Sequence, residues 1–104
     1  NSGIRVQCEA EPVVASGWKR GPKNLLVMIL NDTDTAATGK LSVDFDAFGF
    51  TGDAVSADDY GYGGLAYPES FQKEPPKPME FDSESPLAFE IGRHSYHLVR
   101  FHEE

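Results

Sequence analysis

The sequence predicts an all-β domain, an antiparallel β-sandwich of two packed sheets. Three observations lead there. Apolar and polar residues alternate with period two in several segments, the pattern of a strand with one covered face. One apolar run, 25–30, is too short for an ordinary helix and consists of Leu, Val, Met and Ile. No segment joins a sustained helical period to a capping residue at its start. The chain has 104 residues, which reads as one domain, 1–104, long enough to bury a single core. Two sheets packed face to face are the expected layout at this length.

The first strand is expected at 4–10, where Ile4, Val6 and Cys8 alternate with Arg5, Gln7 and Glu9. Cys8 is the only cysteine, so it closes no internal disulfide, and its apolar parity makes it a core thiol rather than a nucleophile. Residues 18–21, WKRG, read as a turn. The run at 23–30 reads as a strand covered on both faces. The cluster NDTDTAATGK that follows carries Asx-turn chemistry and signals a hairpin. A strand at 40–48 sends Leu41, Val43 and Phe45 one way and Ser42, Asp44 and Asp46 the other. The last segment, 88–101, holds Phe89 and Ile91, a turn or bulge at Gly92, and then 96–101, where both faces carry apolar residues.

Residues 52–81 stand apart. They contain the stretch DDYGYGGLAYPESF and a group of prolines, so regular structure has little room. So long a loop is unusual inside a compact domain. A short strand near 53–56 is expected, followed by a Gly/Tyr/Pro-rich loop folded across one end or edge of the sandwich.

Charge excludes several partners. The formal net charge is −8 and the pI about 4.7, which suit neither the phosphates of nucleic acid nor an anionic membrane surface. No apolar run approaches the ~20 residues of a membrane span. The chain begins at Asn1 without a signal peptide, which reads as a processed chain or a piece of a longer one. An extracellular or periplasmic location fits the composition.

Sites for chemistry are then weighed in turn. Asp44 and Asp46, two apart on a strand, would sit about 6–7 Å apart, close to the carboxyl spacing of a retaining glycosidase. They lie on the wet face, however, with no apolar pocket to raise one pKa. Asp32 and Asp34 open like a calcium loop, but Ala36, Ala37 and Val43 occupy the places that need a ligand, a glycine and a glutamate. A capped turn is the expectation there. His94 and His97 differ in parity, and His94 and His102 would lie about 26 Å apart along a strand, so the three read as half-exposed strand residues. No nucleophile elbow, phosphate loop or zinc-protease motif occurs. No catalytic residue, metal or cofactor is expected on this chain.

The aromatic residues offer a binding surface instead. Tyr60, Tyr62 and Tyr67, with Trp18, would form a stacking platform for the apolar face of a sugar, and Asp58 or Asp59 would accept hydrogen bonds from its hydroxyls. The alternatives are that these rings plug the end of the sandwich or dock against another domain.

The order of motifs adds a resemblance. A strand ending in LVMILN before Asp32 leads through a polar spacer to LSVDFDAFGF, then DDYG, and finally FEIGRHSYHLVRF. This resembles the small antiparallel β-sandwich that follows the catalytic barrel in many glycoside hydrolases, notably the α-galactosidase-like and α-amylase-like enzymes. The matching positions are Asn31 and Asp32, Phe48 and Gly49, Asp58 or Asp59, and 95–101. The resemblance spans 24–101, and the tyrosine–proline insert departs from it. It implies a non-catalytic accessory domain whose partner is the adjacent catalytic domain of the same polypeptide. Two other readings stay open: a free-standing carbohydrate-binding module that takes a glycan on its aromatic loop, and a structural or adhesion sandwich with a protein partner.

Overall fold

The computed structural model describes residues 3–8, 13–51, 55–67 and 76–103. Glu9 and Ala10 of the first expected strand, Asp53 and Ala54 of the short one, and 68–75 of the expected loop lie outside these residues. The described elements are β1 (Ile4–Cys8), β2 (Val13–Lys19), β3 (Asn24–Asn31), β4 (Ala37–Val43), a 3-10 turn (Phe45–Phe48), β5 (Val55–Gly64), β6 (Lys77–Met79), β7 (Leu87–Ile91) and β8 (Ser95–Glu103). They form two antiparallel sheets, β1-β4-β7 and β2-β3-β8-β5-β6. The all-β sandwich is thus observed.

The core lies between the sheets. The larger sheet contributes Leu25, Val27, Ile29, Val55, Ala57, Val99 and Phe101, and the smaller one Ala37, Leu41, Leu87, Phe89 and Ile91. Strict alternation along β7 and β8 places these side chains on one face, which is what a half-covered strand requires. At one end, Phe45 meets Phe50, Phe81 and Phe101 at centroid distances of 5.3, 5.7 and 5.3 Å, tilted or edge-on. Those are the offsets that aromatic quadrupoles favour.

Several expectations are corrected. The spacer after Asn31 is not a hairpin: β3 belongs to the larger sheet and β4 to the smaller, so it crosses between them. The turn at Gly92 is a second crossing, from β7 to β8. Trp18 and Lys19 belong to β2, and the turn lies one step later, where the Arg20 N–H donates to Asn24 O at 3.0 Å. Gly21 and Lys23 supply its positive φ values of 76° and 61°. The strand expected at 40–48 ends at Val43, because Phe45 turns into the core and the chain coils over Phe45–Phe48 before Gly49 at φ 87°. Asp44 and Asp46 therefore do not share a strand face, although both are exposed.

The region expected to be mostly loop contains β5, ten residues long, and the short β6. Its glycines serve the sheet. Gly61, at φ 98°, follows a bulge between Asp59 and Gly61 in the pairing with β8, the role glycine takes where one strand carries an extra residue. Gly63 lies under the ring of Tyr96, which occupies the space a Cβ would need. Finally, among the described residues β3 is fully buried on one face only. Leu25, Val27 and Ile29 are buried, while Leu26, Met28 and Leu30 keep partial exposure on the outer side.

Candidate functional site

The six expected binding residues fall into four separate places. Trp18 lies on the outer face of the larger sheet, 48% exposed. Asp58 shares that face, but the strand order puts β3 and β8 between them, about 14 Å at ordinary strand spacing. Its Oδ2 is taken by His102 Nε2 at 3.1 Å and Arg100 at 3.6 Å. Tyr60 is the extra residue of the bulge in β5.

Tyr62, Tyr67 and Asp59 gather on the opposite side, around His97. The ring of Tyr62 stacks on His97 at 4.0 Å and 8° between planes, and Tyr67 packs against Tyr62 at 4.8 Å. The Tyr67 hydroxyl accepts the Gly92 N–H at 2.9 Å. Asp59 Oδ1 accepts both the Gly61 N–H and His97 Nε2, each at 2.7 Å. Burial raises the Tyr62 phenol above its usual pKa, with Asp59, Tyr67 and Glu90 adding to the effect. This cluster closes the end of the sandwich and ties the crossing at Gly92 to β5.

The same geometry decides what the cluster can do. A histidine held by a carboxylate is half of a general-base arrangement, and the other half is a hydroxyl or thiol on the second ring nitrogen. His97 is 4% exposed, and its Nδ1 has no hydrogen-bond partner among the described residues. With the proton on Nε2, only an acceptor lone pair is left there, the cheaper kind of buried orphan. The histidines also differ from the expectation of three half-exposed strand residues: His97 is buried, His94 sits in the turn before β8, and His102 alone fits. Among the described residues, no group of three or more His, Cys, Asp or Glu side chains is placed to hold a metal ion.

The feature that sequence reasoning missed is the outer face of the larger sheet. Register lays it out in rows across β2, β3, β8 and β5. One row is Val14, Leu30, Tyr96 and Gly63. The next is Ser16, Met28, Leu98 and Gly61. The third runs Trp18, Leu26, Arg100 and Asp58. The first two rows carry no charged side chain, and the charges of the third row sit together at the β8–β5 end, paired with each other. Arg100 Nε also donates to Asn24 Oδ1 at 3.1 Å. Val14 is 50% exposed. The apolar run at 25–30 was the visible signal, since among the described residues only one of its two faces is fully buried.

No protein-family model, curated protein or solved structure matches the chain. The functional reading therefore rests on this geometry and on the sequence pattern.

Proposed function

We propose that the chain is a non-catalytic accessory β-sandwich of a carbohydrate-active enzyme, and that it packs on the catalytic domain through the outer face of β2, β3 and β8. The two charge-free rows carry this reading. A face without charges can be buried without stripping water from ions, a step that costs several kcal/mol per ion. Each Å² of apolar surface so covered contributes about 25 cal/mol. On a chain of net charge −8, a neutral patch four strands wide suits a neutral, apolar partner surface. The carbohydrate-active identity is supported by the motif order over 24–101.

Reading the coding sequence that flanks the chain tests the proposal. The expected result is about 250 residues or more of alternating strand and helix, with carboxylates at strand ends. Hydrogen exchange on that longer polypeptide should then protect Met28 and Leu98 amides beyond their level in the isolated chain. Flanks that encode only a secretion signal overturn the accessory role.

A second reading, a glycan-binding module, is favoured by one observation: Trp18 and Tyr96 both present rings on the same outer face. Trp18 is the only tryptophan, so its emission reports on this face alone. A saturable change on titration with oligosaccharides, lost in Trp18→Ala, would support the module. An unresponsive emission removes it.

A further inference from the structure

Two of the crossings between the sheets, β3 to β4 and β7 to β8, meet at His94. The turn after β7 brings its imidazole against the spacer that follows β3, with Nδ1 3.1 Å from Asp32 Oδ1 and Nε2 2.7 Å from Asp34 Oδ1. Carboxylates accept hydrogen bonds and do not donate them, so both contacts are hydrogen bonds only when both ring nitrogens carry protons. A neutral ring would turn one bare lone pair toward a carboxylate oxygen.

The backbone is committed to the same place. The His94 N–H donates to Thr33 O at 3.1 Å, and His94 O accepts the Leu65 N–H at 3.1 Å. His94 itself holds φ at 46°, the left-handed region that His, Asn and Asp tolerate better than other side chains. Three segments thus converge on one residue: the spacer 32–36, the turn 92–94 and the end of β5.

We propose that His94 is a pH-sensitive latch, which adds an outer clamp across these two crossings while its ring carries both protons and loosens it when it loses one. The groups that face it are Asp32 and Asp34 from the spacer. Arg93 flanks it in its own turn, and Gly64 and Leu65 at the end of β5 bring no charge. The hydrogen bonds to Asp34 and Asp32 raise the His94 pKa above its ordinary 6.5. A raised pKa in the folded chain means that the clamp is whole below pH 6.5 and is lost as pH climbs through the higher, folded value. All three side chains meet water, so salt weakens the clamp.

The test is an NMR titration of the His94 ring in the wild-type chain and in Asp32→Asn, Asp34→Asn and the double variant, with amide exchange followed alongside. His94 should titrate above 6.5 in the wild type, lower in each single variant and lowest in the double. Protection of the His94 and Leu65 amides, corrected for intrinsic exchange, should fall several-fold above that pKa. His94→Asn keeps a side chain suited to the backbone angle and removes the titration, so this pH dependence should vanish. A ring that titrates at or below 6.5, or unchanged in the double variant, overturns the latch. So does amide protection that ignores pH in the wild type, or that keeps its pH dependence in His94→Asn.

Discussion

Asn31 ends β3 with a fully buried amide, and its hydrogen bonds explain why the chain crosses between sheets there. Nδ2 lies 2.9 Å from Thr35 O and 3.0 Å from both Ile91 O and Gly92 O, so two N–H groups serve three carbonyls. Oδ1 accepts the Thr33 N–H at 3.1 Å and the Thr33 hydroxyl at 2.6 Å. One side chain therefore shapes the spacer and fastens it to the β7–β8 crossing, sixty residues on. Asn31→Ala should cost about 3 kcal/mol, because buried carbonyls lose their donors. Asn31→Asp should cost more, since it keeps the shape but sets a buried charge among carbonyl oxygens. Urea denaturation checks both through the midpoint at unchanged m-value. An Asp variant as stable as the wild type would mean that shape alone holds the crossing. The sequence showed Asn31 opening a polar turn, but nothing local distinguishes an amide that serves its own turn from one that reaches a strand sixty residues away.

Strands were legible where their inward positions are large. In β1 and β7 large apolar residues alternate with polar or small ones, and in β3 and β8 the density of Leu, Ile, Val and Phe announces the element. In β2 the inward set is Val13, Ala15, Gly17 and Lys19, too small and mixed to stand out. In β5 the bulge at Tyr60 breaks the parity, so Val55 and Ala57 point inward before it and Tyr62 after it. Period two fails there although the strand continues. The glycines of β5 deepen the confusion, and they differ in what they do. A Cβ at Gly63 would meet the Tyr96 ring, the far end of a side chain that can swing toward solvent. One at Gly64 would meet Ser95 Cα and His94 O, which are backbone, at a φ of 109°. Gly63→Ala should therefore cost about 1 kcal/mol and displace Tyr96, whereas Gly64→Ala should cost about 2–3 kcal/mol. Equal losses in chemical denaturation would contradict this assignment of roles.

At the scale of the molecule, the sandwich leaves one sheet face without charge across two rows, while a net charge of −8 is carried elsewhere. The sequence groups Trp18 with Tyr62 and Tyr67 as one platform, because composition cannot say on which side of a sheet a ring lies. The structure puts the tyrosines around His97 and leaves Trp18 with Leu26, Met28 and Leu98. If that face is a seam, it should tolerate charge in the isolated chain and reject it in the longer polypeptide. Met28 and Leu98 lie directly opposite each other across β3 and β8, so Met28→Glu with Leu98→Lys places opposite charges as cross-strand partners, a favourable arrangement on an open face. The isolated double variant should fold with stability within about 1 kcal/mol of the wild type, since both positions already meet water. In the longer polypeptide the same pair must lose its hydration, so calorimetry should show one shared unfolding transition dividing into two. Collapse of the isolated variant would make the face part of this domain's own core. A single transition that survives the substitution would place the seam on another surface of the sandwich.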